Sequence, residues 1–194
     1  ILSEEQQFLK DTAQSFARDK TPTNHFRKMR DNGNAKCWDD SIWQEMVQLG
    51  WSGILVPEEF GGSDFGIAGI SVIMQELGKT LTPSPLLATS VLGVSTIKLL
   101  GSDEQKKNYL PKIVSGEATT AIAVDEGNHH SPFDIEATAT LENDKWILNG
   151  QKVFIIDGAS ADFILIVART SGKTGESNGL SVFIADKNST GLEV

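Results

Sequence analysis

The sequence is 194 residues long, with 39% hydrophobic and 22% charged residues and a formal net charge of −9. These proportions are typical of a globular protein, and the length allows one domain or two small ones. The acidic excess argues against a nucleic-acid partner, because phosphate binding requires clustered Lys and Arg. No apolar run reaches about 18 residues, so no membrane span is predicted. The single cysteine, Cys37, excludes an internal disulfide and fits a reducing compartment.

Up to Gly116, apolar residues recur at helical spacing and predict an all-helical, bundle-like domain. The basic residues at 27–30 are interpreted as a solvated helix face. Two helices should begin at capping boxes, Ser3–Gln6 and Ser102–Gln105, where serine and glutamine bind each other's backbone amides. The five predicted helices are one from Ser3 with Phe8, Leu9, Ala13 and Phe16 on its apolar face, one from Asp39 or Asp40 to Gly50, one from Gly69 to Leu77 with Gly78 as its cap, one from Pro85 to Leu100 closed by Gly101, and one from Ser102 to about Val114.

After Gly116 the apolar residues alternate or form short β-branched runs, which predict strands. Asn149-Gly150 is a strong hairpin signal, because both residues accept positive φ. The predicted class is therefore α+β, with an all-α helical domain at residues 1–116 and a partial antiparallel β-domain at residues 117–194. The predicted strands are 119–124, 136–141, 146–148, 153–156, 163–168 and 180–185. A polar turn at Glu142–Lys145 precedes 146–148, and 146–148 and 153–156 are joined at Asn149-Gly150.

The two ends of the sequence suggest that the native protein is longer. Residue 1 is isoleucine rather than methionine, which is compatible with a removed targeting segment. The last predicted strand begins about a dozen residues before Val194, and an open sheet leaves edges that must be paired or covered. We therefore expect the protein to continue beyond residue 194.

Short motifs for other chemistries are weak or missing. His129 and His130 are adjacent and no third ligand has the spacing of a metal site, so no metal is predicted. Cys37 lacks a catalytic signature around it and is interpreted as an ordinary thiol. The sequence contains no phosphate-binding loop, dinucleotide fingerprint or hydrolase elbow.

Three longer stretches carry a family resemblance, and they follow one another in order and spacing. The first is Val56–Gly62, the second runs from Gly101 through Lys112 to Ser115-Gly116-Glu117, and the third runs from Leu148-Asn149-Gly150-Gln151-Lys152 to Ala161-Asp162. Together they resemble the acyl-CoA dehydrogenase family over the whole chain.

The resemblance implies a three-part fold, of which this chain would lack the C-terminal four-helix domain. In the family, FAD lies between the middle and C-terminal domains and accepts a hydride from the β carbon of an acyl-CoA. The general-base glutamate belongs to the C-terminal domain, so no catalytic residue is predicted here and this fragment should be inactive. The implied partners are acyl-CoA, an electron-transfer flavoprotein or similar acceptor, and a homo-oligomer or a sister subunit. The implied location is cytoplasmic, or the mitochondrial matrix in a eukaryote.

Two segments match flavin-binding stretches of the family. In the first, Ile122–Ser131, the resemblance assigns FAD contacts to Ile122, Ala123, Val124, Asp125 and Ser131, and a substrate contact to Ser131 as well. The second segment assigns FAD contacts to Phe154, Ile155 and Ile156.

Both segments depart from the family pattern. Asp125 stands where a threonine hydroxyl usually bonds the flavin, Gly127–His130 replaces a Pro/Gly-rich turn, and Pro132 stands where an aspartate is expected. Phe154 replaces tryptophan but can still stack on the ring system. Ile156 replaces threonine or serine and cannot donate a hydroxyl hydrogen bond.

Three hypotheses therefore remain open. A divergent dehydrogenase subunit would bind FAD through backbone groups despite these changes. A non-catalytic subunit with a degenerate flavin site would instead pair with a competent partner; the negative charge of Asp125 beside a ring that becomes anionic would disfavour reduction. A flavin-dependent monooxygenase or acyl-CoA oxidase would share the fold and change the reaction.

Overall fold

A computed structural model describes residues 2–33 and 36–194. The chain divides into two compact units, Ile1–Ala118 and Thr119–Val194, called here the helical unit and the sheet unit. Among the described residues, no helix is long and apolar enough to cross a membrane.

The helical unit contains six α-helices, one 3-10 turn and one π-helical segment within its described residues. Both predicted capping boxes are present: Ser3 and Gln6 are joined by bonds of 3.0 and 3.2 Å, and Ser102 and Gln105 by bonds of 2.8 and 3.2 Å. Asp39 caps the third helix by accepting the amides of Ser41 and Ile42. The elements are α1 (Glu4–Lys20), α2 (Thr23–Asp31), α3 (Asp40–Gln48), a 3-10 turn (Glu58–Phe60), α4 (Ile67–Lys79), a π-helical segment (Leu86–Gly93), α5 (Val94–Leu100) and α6 (Asp103–Val114).

Two helices differ in kind from the prediction. Helix α2 is additional to the five predicted and has no fully buried residue. It carries Arg27, Lys28 and Arg30, which are exposed, so the interpretation of these basic residues as a solvated helix face is confirmed. The single helix predicted from Pro85 to Leu100 is a π-helical segment followed by α5. The π-helical segment is apolar on most sides, with Leu86, Ala88 and Gly93 all buried, so the apolar spacing does not distinguish a wide turn from an α-helical one.

Two details of the helical faces and ends were also wrong. Phe8, predicted on the buried face of α1, is 71% exposed, and the residues that α1 buries are Ala13, Phe16 and Ala17. Helix α4 passes Gly78 and ends at Lys79, whose ammonium lies 2.6 Å from the buried carboxylate of Glu76. That ion pair lies in the last turn of α4.

The core of the helical unit forms where α1 packs against α4. The rings of Phe16 and Trp51 meet edge to face with centroids 5.1 Å apart, an arrangement that aromatic pairs favour. Met46, Ile73 and Ile113 are fully buried, so α3, α4 and α6 each contribute to the apolar interior.

The sheet unit has five described strands arranged around a central one. That strand, β4, pairs antiparallel with β5 along one edge, and on its other edge it pairs parallel with β1 and, at the single pair Thr138 and Arg169, with β2. β2 and β3 pair antiparallel. The sheet is therefore mixed, and the predicted antiparallel sheet was wrong in this respect. The strands are β1 (Thr120–Ala123), β2 (Thr138–Glu142), β3 (Lys145–Asn149), β4 (Phe163–Arg169) and β5 (Leu180–Asp186).

The hairpin predicted at Asn149-Gly150 is absent from this part of the described chain. The turn predicted at Glu142–Lys145 is confirmed: β2 and β3 are joined at Asn143 and Asp144, whose φ angles of 49° and 60° suit a two-residue turn. Gly150 has another role, since a Cβ there would lie 2.5 Å from the Cβ of Ala137. The predicted strand at 153–156 is irregular, because Phe154 is left-handed, with φ of 54°.

Candidate functional site

The structure brings the two predicted flavin segments together in the sheet unit. The first continues from β1 into a loop, and the second follows β3. The amide of Val153 donates to the carbonyl of Asp125 at 2.8 Å. The ammonium of Lys152 donates to the carbonyl of Val124 at 2.9 Å. Residues 124–125 and 152–153 therefore lie side by side.

A partly buried ion pair holds this contact. Lys152 Nζ lies 2.6 Å from Glu126 Oε1, and the two side chains are only 7% and 14% exposed. The Glu126 carboxylate also accepts the amides of Glu136 at 2.7 Å and Ala137 at 3.0 Å. Burial acts to raise the pKa of Glu126, but the bonds from Lys152 and the two amides outweigh it and hold the pKa below its ordinary value. Glu126 is therefore a structural anion at neutral pH.

The side chain of Asp125 forms hydrogen bonds to other residues of its own loop. Its carboxylate lies 3.0 Å from Nδ1 of His130 and accepts the amide of Ser131 at 3.2 Å. The hydrogen bond to His130, followed by the bond from Ser131, lowers the pKa of Asp125. The carboxylate that replaces the family's threonine is thus ionised at neutral pH and bonded within its own loop.

The remaining predicted contacts divide into buried and accessible residues. Ala123 is 1% exposed and belongs to a core cluster with Ala121, against which Ile155 also packs. Ile122, Val124 and Ser131 are half-buried. Phe154 is 75% exposed and Ile156 is 49% exposed. Phe154 and Ile156 are therefore the predicted residues whose side chains are most accessible to a ligand, whereas Ala123 belongs to the core.

The chemistry of these accessible groups fits an isoalloxazine ring. Phe154 offers an exposed aromatic face and Ile156 an apolar contact. Within the described residues, no acceptor lies in hydrogen-bonding reach of the backbone amides of Gly127, Asn128, Ile155 or Ile156. These donors remain free for the polar edge of a ligand or for water.

Arg169, at the end of β4, is a residue that the sequence reasoning missed. Its side chain is 6% exposed and donates only to backbone carbonyls. It thereby joins the stretch before β2 to the loop between β4 and β5. A single arginine ending an apolar strand was the available signal, but the sequence does not indicate which carbonyls it meets. The acceptors are the carbonyls of Phe133 (3.0 Å), Ile135 (3.1 Å), Ser171 (3.4 Å), Glu176 (3.1 Å) and Asn178 (2.9 Å).

The partnership of Lys152 and Glu126 was missed as well. Lys152 stands inside the third stretch that carries the family resemblance and Glu126 inside the first flavin segment, but their pairing depends on how these two parts of the chain fold together. As for metals, the described part of the chain brings together no group of three or more His, Cys, Asp or Glu side chains that could hold an ion.

Comparison with known protein families matches both units. The acyl-CoA dehydrogenase N-terminal domain matches residues 3–117, and the acyl-CoA dehydrogenase middle domain matches residues 121–194. The mitochondrial isovaleryl-CoA dehydrogenase of Arabidopsis thaliana is 31% identical over 195 residues, covering 99% of this chain and 47% of that protein.

Solved structures agree with the family match. An acyl-CoA dehydrogenase from Geobacillus kaustophilus is 30% identical with a TM-score of 0.84, covering 98% of this chain and 50% of that one. The FAD complex of PigA is 28% identical with a TM-score of 0.83, at the same two coverages of 98% and 50%. The chain spans about half the length of the relatives that it matches.

Proposed function

The chain belongs to the acyl-CoA dehydrogenase family, and we propose that it binds FAD and serves the α,β-dehydrogenation of an acyl-CoA thioester. The observation that carries this proposal is the pairing of the two flavin segments through Lys152 and Val153, which leaves Phe154 and Ile156 accessible beside free backbone amides. A bound FAD would supply the redox chemistry by accepting the hydride from the substrate's β carbon.

The chain's own residues would bind the FAD and the acyl-CoA and orient them. Phe154 and Ile156 would contact the flavin ring, and the free amides of Gly127, Asn128 and Ile156 would donate to its polar edge. Ser131, half-buried at the end of the loop, would contact the acyl-CoA.

The carboxylates of the loop do not serve as the general base in this proposal. Asp125 is bonded to His130 and the amide of Ser131, and Glu126 to Lys152 and two amides. The family's glutamate belongs to its C-terminal domain, and we assign the proton abstraction to that domain. An electron-transfer flavoprotein or a similar acceptor would then reoxidise the flavin.

The test begins with the colour of the purified natural-length protein. We expect the visible absorbance of oxidised flavin, released as FAD on denaturation, and its anaerobic bleaching by at least one acyl-CoA in a panel of fatty-acyl and steroid thioesters. A colourless protein that gains no FAD on reconstitution would contradict the proposal. Flavin that bleaches only with an added reductant and consumes oxygen in turnover would indicate a monooxygenase. Flavin that bleaches with an acyl-CoA and is then reoxidised directly by oxygen would indicate an acyl-CoA oxidase.

A second candidate is a non-catalytic subunit that pairs with a competent sister subunit. The observation that favours it is the ionised Asp125 together with the apolar Ile156, at the two positions where hydroxyl groups usually bind flavin in the family. Loss of two such hydrogen bonds would weaken binding by about 1 kcal/mol each. Under this candidate, the isolated protein would contain no FAD, whereas its complex with the sister subunit would contain fewer FAD molecules than subunits.

A further inference from the structure

Lys152 occupies an unusual position for a lysine, because its side chain is 7% exposed and its ammonium bridges two points on one neighbouring segment. The bridged groups are the carbonyl of Val124 at 2.9 Å and the carboxylate of Glu126 at 2.6 Å. A desolvated ammonium is unfavourable unless it is paired and hydrogen-bonded. Here both requirements are met by the first flavin segment alone.

The contact extends to a third stretch of chain through Glu126. Its carboxylate accepts the amides of Glu136 and Ala137, immediately before β2. One lysine and one glutamate thus fix residues 124–126, 136–137 and 152–153 relative to one another. Removing the cation would leave the Glu126 carboxylate without the only ion-pair partner it has among the described residues.

Phe154 lies two residues after Lys152 and has a left-handed backbone, with φ of 54°. A residue with a Cβ avoids that conformation unless the surrounding structure imposes it. On its N-terminal side the constraint comes from Lys152 and from Val153, whose amide binds the carbonyl of Asp125 at 2.8 Å. The same bonds therefore fix the backbone position from which the exposed aromatic ring of Phe154 projects.

From these contacts we infer that Lys152 is a positioning residue, which sets the spacing between the first flavin segment and Phe154 through Val124 and Glu126. The inference rests on the proposed function, since the positioned groups are the proposed FAD contacts. Lys152 itself would touch neither the flavin nor the acyl-CoA.

The experiment compares Lys152→Met, Lys152→Arg and the control Lys187→Met in the natural-length protein. Lys187 also forms an ion pair in the sheet unit, at 2.9 Å from Asp162, but its side chain is 45% exposed and its partner lies outside the flavin segments. FAD dissociation constants, the visible spectrum of the bound flavin and its reduction potential are measured for each variant.

We expect Lys152→Met to raise the FAD dissociation constant about tenfold or more, to alter the visible spectrum and to lower the reduction potential, since Glu126 then carries an uncompensated charge. Lys152→Arg should recover most of the affinity and the spectrum, and Lys187→Met should behave as wild type. If Lys152→Met does not fold, Glu126→Gln takes its place: the loss of FAD affinity and the change in the spectrum are expected in smaller measure, but the reduction potential should not fall, because no uncompensated carboxylate remains.

Unchanged affinity and spectrum in a folded Lys152→Met or Glu126→Gln protein would overturn the inference while leaving the proposed function intact. An equal loss in Lys187→Met would overturn it too, because the effect would then be general to ion pairs of the unit. A wild-type protein that takes up no FAD would instead refute the proposed function, and the positioning role with it.

Discussion

Asp125 places a charge where the family usually carries a neutral hydroxyl, and the effect of that charge depends on its partners. The carboxylate binds His130 Nδ1 and the Ser131 amide, and the hydrogen bond to His130 lowers its pKa. His130 is 72% exposed, so solvent screens this pair. The loop is therefore closed by Asp125, while much of its negative charge persists beside the proposed flavin site.

Replacing Asp125 with threonine should make the bound flavin easier to reduce. Removing one partly screened charge near a ring that becomes anionic is worth about 1 to 2 kcal/mol, or about 20 to 45 mV in a two-electron potential. The potential of Asp125→Thr should therefore rise, as measured by dye-coupled reductive titration. Asp134→Asn, which removes an exposed carboxylate further along the loop, is the matched control, and an equal rise in both variants would count against a specific role for Asp125.

At the scale of elements, Arg169 joins two loops that no strand pairing connects. Replacing it with methionine removes five hydrogen bonds from a side chain that is 6% exposed. We expect Arg169→Met to lower the free energy of unfolding of the sheet unit by about 3 kcal/mol, measured by urea denaturation. Lys173→Met, on the exposed loop, should change it by less than about 0.5 kcal/mol. Similar values for the two variants would contradict a stabilising role for Arg169.

A substitution at Gly150 can test its close approach to Ala137. Gly150 directly follows β3, and Ala137 directly precedes β2. In Gly150→Ala the new Cβ would meet the Cβ of Ala137 at 2.5 Å, at a φ of 154°. Overpacking of this kind destabilises by about 1 to 3 kcal/mol, so the thermal midpoint of the sheet unit should fall. Gly127→Ala, with no atom within 4 Å of its Cβ, serves as the control. A Gly150→Ala protein as stable as the control would show that the backbone separates at little cost.

The elements that could be predicted from the sequence are those governed by neighbouring residues. The capping boxes at Ser3 and Ser102 depend on residues three apart, and both are present. Pairing partners are a longer-range property. Asn149-Gly150 has the composition of a hairpin turn, yet the hairpin in this part of the described chain turns at Asn143-Asp144, and Gly150 lies close against Ala137.

In the candidate site, too, some features could be predicted from local sequence and others depend on long-range contacts. The resemblance to a family predicted the two flavin segments, and the structure places residues 124–125 and 152–153 side by side. Whether a residue within a segment faces solvent or the core could not be read from the motif: Ala123 is buried while Phe154 is exposed. The roles of Lys152 and Arg169 depend on partners 26 to 36 residues away, such as Glu126 and Phe133, which only the folded chain brings into contact.

At the scale of the whole molecule, lowering the pH should destabilise mainly the sheet unit. Asp125, Glu126 and Asp162 all have lowered pKa values, so each contributes stability above its unfolded pKa and loses it as the pH falls through its folded pKa. In the helical unit the carboxylates with lowered pKa are Asp39, whose bond from Ser41 is the main cause, and the fully exposed Asp19. Neither of these joins separate stretches of chain as Glu126 does.

The pKa of Asp157 is shifted in the opposite direction. Burial raises its pKa, so the group favours the folded state at low pH, and this contribution is lost as the pH rises through the folded pKa. Its φ of 58° is one that asparagine tolerates well. Asp157→Asn should therefore stabilise the sheet unit at neutral pH and make its loss of stability in acid steeper.

Lowering the pH from neutrality to about 3, below the unfolded pKa of carboxylates, should unfold the sheet unit before the helical unit. Protonation of Glu126 alone weakens its bonds to Lys152 and two amides, a loss of about 2 kcal/mol. Residue-resolved hydrogen exchange checks this: amides of β4 should lose protection at a higher pH than amides of α4. Glu126→Gln should flatten the acid dependence of β4 and leave α4 unchanged. If β4 and α4 lost protection together in wild type, in Glu126→Gln and in Asp157→Asn, the carboxylates of the sheet unit would not control acid stability, and the low-pH unfolding would have to arise from the net charge of the chain.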